Sequence, residues 1–140
     1  MIEVSPVLTF DGNCETAFKF YRKVFGGDFQ FLYRYGDVNS EDVPEGCRNK
    51  IMHISLPLMK NVFLMGSDSA GKVRRGEAVS IGLRLNSAEE TERLFNALTE
   101  RGSVTDPLTK VFYADLYGSL VDRFGVRWTF NCNIGREPEQ

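Results

Sequence analysis

The sequence predicts an α+β fold built from two related βαβββ modules, and three observations carry that prediction. Strand and helix periodicities follow one another in the same order twice. Each copy holds one amphipathic helix with legible ends, and a loop with Gly66, Gly71, Gly76 and the pair Arg74-Arg75 separates them. The modules fall at about residues 3–66 and 78–133 of a chain of 140 residues, which is the size of one domain. One helix covers one face of each sheet, so the other face must meet a partner or line a cavity.

Val4 to Phe10 reads as the first strand. After Asp11-Gly12-Asn13, the apolar residues Cys14, Ala17, Phe18, Tyr21, Val24 and Phe25 form one stripe at helical spacing. Asn13 is the expected N-cap and Gly26-Gly27 the left-handed stop. Strands are then predicted at Phe29 to Tyr35, Lys50 to Leu58 and Val62 to Met65, separated by a polar loop around Asn39-Ser40-Glu41-Asp42 and by Met59-Lys60-Asn61.

The second module opens with a strand from Ala78 to Leu85. Ser87-Ala88-Glu89-Glu90 reads as a capping box, followed by the stripe Thr91, Leu94, Phe95, Leu98 and closure at Gly102. Strand-like runs follow at Ser103 to Thr105, Tyr113 to Val121 and Val126 to Asn131.

Composition narrows the function classes. Hydrophobic residues at 42% and charged residues at 26% suit a folded protein with a packed core. Seventeen basic against nineteen acidic side chains leave a charge of -2 with no long run of either sign, so nucleic acid is not an expected partner. No apolar stretch approaches the ~20 residues of a membrane span and the N-terminus lacks a signal pattern, so a cytoplasmic protein is expected, with no membrane partner. Cys14, Cys47 and Cys132 are odd in number and widely spaced, which reads as reduced thiols rather than a disulfide framework or zinc site.

The segment Leu8-Thr9-Phe10-Asp11-Gly12-Asn13-Cys14 through Val24-Phe25-Gly26-Gly27 resembles the opening of the vicinal oxygen chelate superfamily, which holds glyoxalases, bleomycin-resistance proteins and extradiol dioxygenases. The run Lys50-Ile51-Met52-His53-Ile54-Ser55-Leu56 and the close Tyr117-Gly118-Ser119-Leu120-Val121-Asp122-Arg123-Phe124-Gly125-Val126-Arg127-Trp128 resemble the PhnB-like branch in particular. The resemblance spans nearly the whole chain. It implies two βαβββ modules in a U-shaped mixed sheet around a cleft, paired into a homodimer. Some relatives carry a demethylubiquinone methyltransferase label, but no glycine-rich nucleotide loop follows a strand here.

The resemblance also implies where a divalent ion would sit, because enzymes of the superfamily ligate one at the first and last strands of each module. Alignment on the quoted motifs puts Pro6, Leu64, Ser80 and Thr129 near those positions, with Ser5 or Val79 reached by a one-residue slip. None of these supplies the imidazole or carboxylate that a tightly held dication needs, so neither a metal nor another cofactor is expected.

Period-two alternation assigns the cavity face independently. Val79, Ile81, Leu83 and Leu85 should meet the helix, leaving Ser80, Gly82 and Arg84 opposite. Met52, Ile54, Leu56 and Leu58 point to the core, with His53 and Ser55 opposite. Val126, Trp128 and Phe130 turn inward, and Arg127, Thr129 and Asn131 face the cavity. The aromatic run Phe29, Phe31, Tyr33, Tyr35 suits either packing or a stacking wall. The candidate ligand-binding set is therefore His53, Ser55, Ser80, Arg84, Arg127, Thr129, Asn131 and Tyr33, suited to a small organic ligand that is anionic or bears a carbonyl. The expected function is small-molecule binding in a metal-free cleft. The alternatives are a lyase or isomerase using His53 as acid and base, a divalent-metal-dependent variant, and a protein whose role is assembly.

Overall fold

The structure, a computed structural model, describes residues 2–38, 43, 45–59, 61–69 and 71–135; the loop predicted at Asn39-Ser40-Glu41-Asp42 and Lys60 of the predicted turn lie outside them. The chain divides into two compact units, Met1–Arg74 and Arg75–Gln140. Unit one runs β1 (Val7–Phe10), α1 (Cys14–Phe25), β2 (Phe31–Arg34), β3 (Ile51–Met59) and β4 (Val62–Asp68), with sheet order β1-β4-β3-β2. Unit two repeats it as β5 (Ile81–Leu85), α2 (Ala88–Thr99), β6 (Ser103–Val111), β7 (Ala114–Val121) and β8 (Arg127–Cys132), ordered β5-β8-β7-β6. In each unit the first strand lies parallel to the last and the other pairs are antiparallel. The predicted α+β class and the order β-α-β-β-β are what the chain forms.

The helix stripes make the cores. Cys14, Ala17, Phe18, Tyr21 and Val24 of α1 are buried, as are Phe10, Ile54, Leu56 and Leu64 of its sheet. Phe18 sets its edge against Phe10 and Tyr21, with ring centroids 6.1 and 5.6 Å away. Gly66 makes that approach possible, because a Cβ there would stand 2.5 Å from the Phe18 ring. In unit two, Thr91, Leu94, Phe95 and Leu98 of α2 are buried together with Leu120, Trp128 and Phe130. Each large side chain taken out of water here stabilises by about 1.5–3 kcal/mol.

One buried carboxylate ties each unit together. Asp68 Oδ1 accepts from Gly12 N and Cys14 N at 3.0 Å each, and Oδ2 accepts from Ile51 N at 2.9 Å. It thereby takes over the capping that Asn13 was expected to provide, since Asn13 makes no side-chain cap bond. Asp122 accepts from Phe124 N, Val126 N and the Trp128 indole at 2.8, 3.1 and 2.9 Å. The chain's most distinctive segment, Asp122 to Trp128, is therefore a folding device: a tight turn with Gly125 at φ 84.

Several boundaries moved for local reasons. Ser87 Oγ accepts from Glu90 N at 3.2 Å, but Glu90 pairs with Arg93 instead of closing the box. The left-handed residue after α2 is Arg101, at φ 61, while Gly102 lies where a Cβ would overlap the Val121 carbonyl. Strand β6 continues to Val111, well past the predicted Thr105, because Asp106-Pro107 stays extended at a sheet edge despite its turn-forming composition. Val79 precedes β5 and is 82% exposed, not packed on the helix as predicted.

Candidate functional site

The register of the two sheets fixes which side chains share a face. Pairing of Phe10 with Asp68 in unit one corresponds to pairing of Leu85 with Cys132 in unit two. Counting back from these, Ser5 is the counterpart of Ser80 and Met65 the counterpart of Thr129. The expected positions Pro6 and Leu64 are thus each one residue out of register. Leu64 pairs directly with Leu56, and both are fully buried on the helix side.

Those counterparts test the metal that the fold family implies. Three hydroxyls and one thioether do not fit a hard or borderline dication, which prefers carboxylate oxygens and imidazole nitrogens. Among the described residues no three His, Cys, Asp or Glu side chains gather as a metal-holding group.

On the open face of the unit-two sheet, Ser80 and Thr129 share a hydrogen bond of 2.7 Å. Thr129 pairs with Ser119 on β7, and Ser119 with Asp106 on β6, so these three side chains and Ser80, the residue before β5, form a polar row of four. Ser119 Oγ donates to Asp106 Oδ2 at 2.6 Å. A cavity of about 180 Å³ opens over Ser80, Thr129 and Ser119 of this row and is lined also by Tyr117, Thr105 and Arg127, while Asp106 stands behind Ser119 outside the lining. The Arg127 guanidinium donates to the Gly76 carbonyl at 3.2 Å and faces Glu77 at 3.5 Å.

Three predicted residues, Ser80, Arg127 and Thr129, therefore come together. Arg84 and Asn131 pair with each other further along the same face and do not line the cavity. Asn131 accepts from Asn133 Nδ2 at 3.4 Å, and Arg84 is exposed with no ion pair among the described residues. Tyr117 and Ser119 were missed although alternation along β7 already placed them on one face. Asp106 was missed because its strand was read as ending at Thr105.

The open face of unit one holds rings instead. Phe31 stacks on Tyr33 at 5.5 Å and on His53 at 4.9 Å, and Tyr33 is 49% exposed. His53 has no hydrogen-bond partner among the described residues. Ser55 is fully buried, its hydroxyl donating to Gln30 Oε1 at 3.3 Å. The predicted four-ring stripe is broken. Phe29 lies beneath the Arg22 guanidinium at 4.5 Å, and Tyr35 turns away to donate its hydroxyl to the Asp68 carbonyl at 2.8 Å. Ser5 Oγ is buried with no hydrogen-bond partner among the described residues, since Met65 stands where unit two has Thr129.

Beside this face, Arg34 reaches Glu15 with two hydrogen bonds of 3.0 and 2.7 Å. The Arg34 guanidinium holds the Glu15 carboxyl below its ordinary value, and Glu15 in turn raises Arg34. Glu90 is lowered by Arg93 in the same way.

Comparison with known proteins agrees with this architecture. The family described as 3-demethylubiquinone-9 3-methyltransferase matches residues 2–130. Protein PA1353 from Pseudomonas aeruginosa is 39% identical in sequence, with a TM-score of 0.86 over 96% of this chain and 99% of that one. Protein YjdN of Escherichia coli (strain K12) is 27% identical over 98% of this chain and 99% of its own length. A putative 3-demethylubiquinone-9 3-methyltransferase, PhnB protein, from Bacillus cereus shares the fold at 22% identity and a TM-score of 0.76, over 94% of this chain and 99% of that one. The chain belongs to the family described as 3-demethylubiquinone-9 3-methyltransferase.

Proposed function

We propose that this protein binds a small organic ligand, anionic or carbonyl-bearing, in the polar cavity of unit two, without a metal ion. The observation that carries the reading is the Ser80–Thr129 hydroxyl pair beside Arg127 in a cavity of about 180 Å³. A guanidinium fork and a free hydroxyl proton suit carboxylate or carbonyl oxygens. The volume lies below the ~300–1,000 Å³ of drug-sized sites, so the ligand has only a few heavy atoms. Homodimer formation, which the resemblance implies, and a cytoplasmic location, expected from the sequence pattern, are part of the proposal; no helix among the described residues is long and apolar enough to cross a membrane.

Binding is favoured over catalysis by the state of His53. Its ring is stacked on Phe31, and no carboxylate or carbonyl among the described residues fixes a tautomer, as acid–base work requires. Methyl transfer finds no support either, because the two strand-to-helix turns, Asp11-Gly12-Asn13 and Asn86-Ser87, hold a single glycine between them.

Isothermal titration with acetate, propanoate, pyruvate and benzoate tests the reading. Heat from at least one of them, lost in Arg127→Ala, is the expected result. Silence from all four, or binding that Arg127→Ala leaves intact, overturns it.

A further inference from the structure

The row of polar side chains has a direction, and that direction says more about the ligand. Ser119 spends its proton on Asp106, so its remaining lone pairs can only accept. The Ser80–Thr129 pair uses one of its two hydroxyl protons internally and keeps the other to donate. One side of the cavity therefore accepts hydrogen bonds at Ser119, with the exposed Asp106 carboxylate next to it just outside the lining, and the other donates them beside a guanidinium.

Both charged ends are open to a ligand. Asp106 is exposed, and its Oδ1 has no partner among the described residues. Arg127 faces the carboxylate of Glu77 at 3.5 Å, and Glu77 is 88% exposed in its side chain, so the guanidinium is held by a group that solvent can readily take away. A carboxylate already stands where a ligand's carboxylate would. Asp106 lies two strands from β8, roughly 10 Å between backbones. The reach of the two side chains leaves a gap that a short carbon chain spans.

Resting on the anion-binding reading above, we propose that the ligand is a small zwitterion: a short amino acid whose carboxylate meets Arg127 and the Ser80–Thr129 pair and whose ammonium meets Asp106 and Ser119. An ammonium donating to a carboxylate and a hydroxyl makes charge-assisted bonds on which a plain acid cannot draw.

The test is calorimetric titration of the full chain with glycine, β-alanine and 4-aminobutanoate against acetate, propanoate and butanoate. At least one amino acid should bind about tenfold or more tighter than its amine-free partner. Asp106→Asn should erase that difference without weakening the binding of acetate, propanoate and butanoate; Ser119→Ala should reduce the difference. Equal affinity with and without the amine, or a difference that survives Asp106→Asn, overturns the zwitterion and leaves the anion site standing. No binding by any of the six overturns both.

Discussion

Replacing Asp68 by Asn changes one atom in a carboxylate that three backbone N–H groups share. The remaining oxygen can still accept from Gly12 N and Cys14 N, both at 3.0 Å, but the new amide then presents its own hydrogens to Ile51 N. Flipping the amide satisfies Ile51 and strands the two groups that begin α1. Either way at least one buried donor loses its acceptor, and the bonds that survive are no longer charge-assisted. An unsatisfied buried donor costs about 1–3 kcal/mol, and weakening of the other bonds brings the expected loss to about 2–4 kcal/mol. That is a large part of the 5–15 kcal/mol holding an ordinary domain together. At about 3 °C per kcal/mol for this length, the thermal midpoint should fall by about 6–12 °C. Urea unfolding followed by tyrosine fluorescence and far-ultraviolet circular dichroism measures it. A loss below about 0.5 kcal/mol would refute the claim that this carboxylate organises the unit.

Three further outcomes follow from single residues. Ser5→Ala removes a buried hydroxyl that has no partner among the described residues, so stability should hold or rise by about 1 kcal/mol; a fall of that size in urea unfolding would mean the hydroxyl is satisfied after all. Because Arg34 lowers the folded-state pKa of Glu15, the pair's contribution is complete above the unfolded carboxyl value and disappears as pH falls through the lowered one. Glu15 and Arg34 are each about a third exposed, at 33% and 31%, so Glu15→Gln should cost under about 1 kcal/mol at pH 7 and progressively less as pH falls below the ordinary carboxyl range, as denaturation over a pH series will report. Glu77→Gln frees Arg127 from its competitor and should tighten carboxylate binding by up to about fivefold in titration calorimetry; weaker binding would make Glu77 part of the site.

The fold was legible because burial follows periodicity. Cys14, Phe18, Leu94 and Leu98 are buried where helical spacing put them, and Trp128 and Phe130 where alternation did. What could not be read was long-range or irregular. Nothing near Asn13 announces that a carboxylate 54 residues from Cys14 will cap the helix. Asp106-Pro107 has the composition of a turn, and only its place on an edge strand lets it stay extended. The one-residue error at Pro6 and Leu64 has the same origin: a slip of one flips a strand, and only pairing with its neighbours sets the register. Half of the polar cavity was visible as Ser80, Arg127 and Thr129. The other half lies on β6 and β7, whose pairing is interrupted by register shifts on β6.

The most direct measurement is a two-dimensional amide NMR titration of the EDTA-treated protein with propanoate and β-alanine. Shifts that saturate and cluster at Ser80, Ser119, Arg127 and Thr129, unaltered by added zinc or manganese, are what the account predicts. Shifts that appear only once a divalent ion is restored, or that spare these four residues, would contradict it.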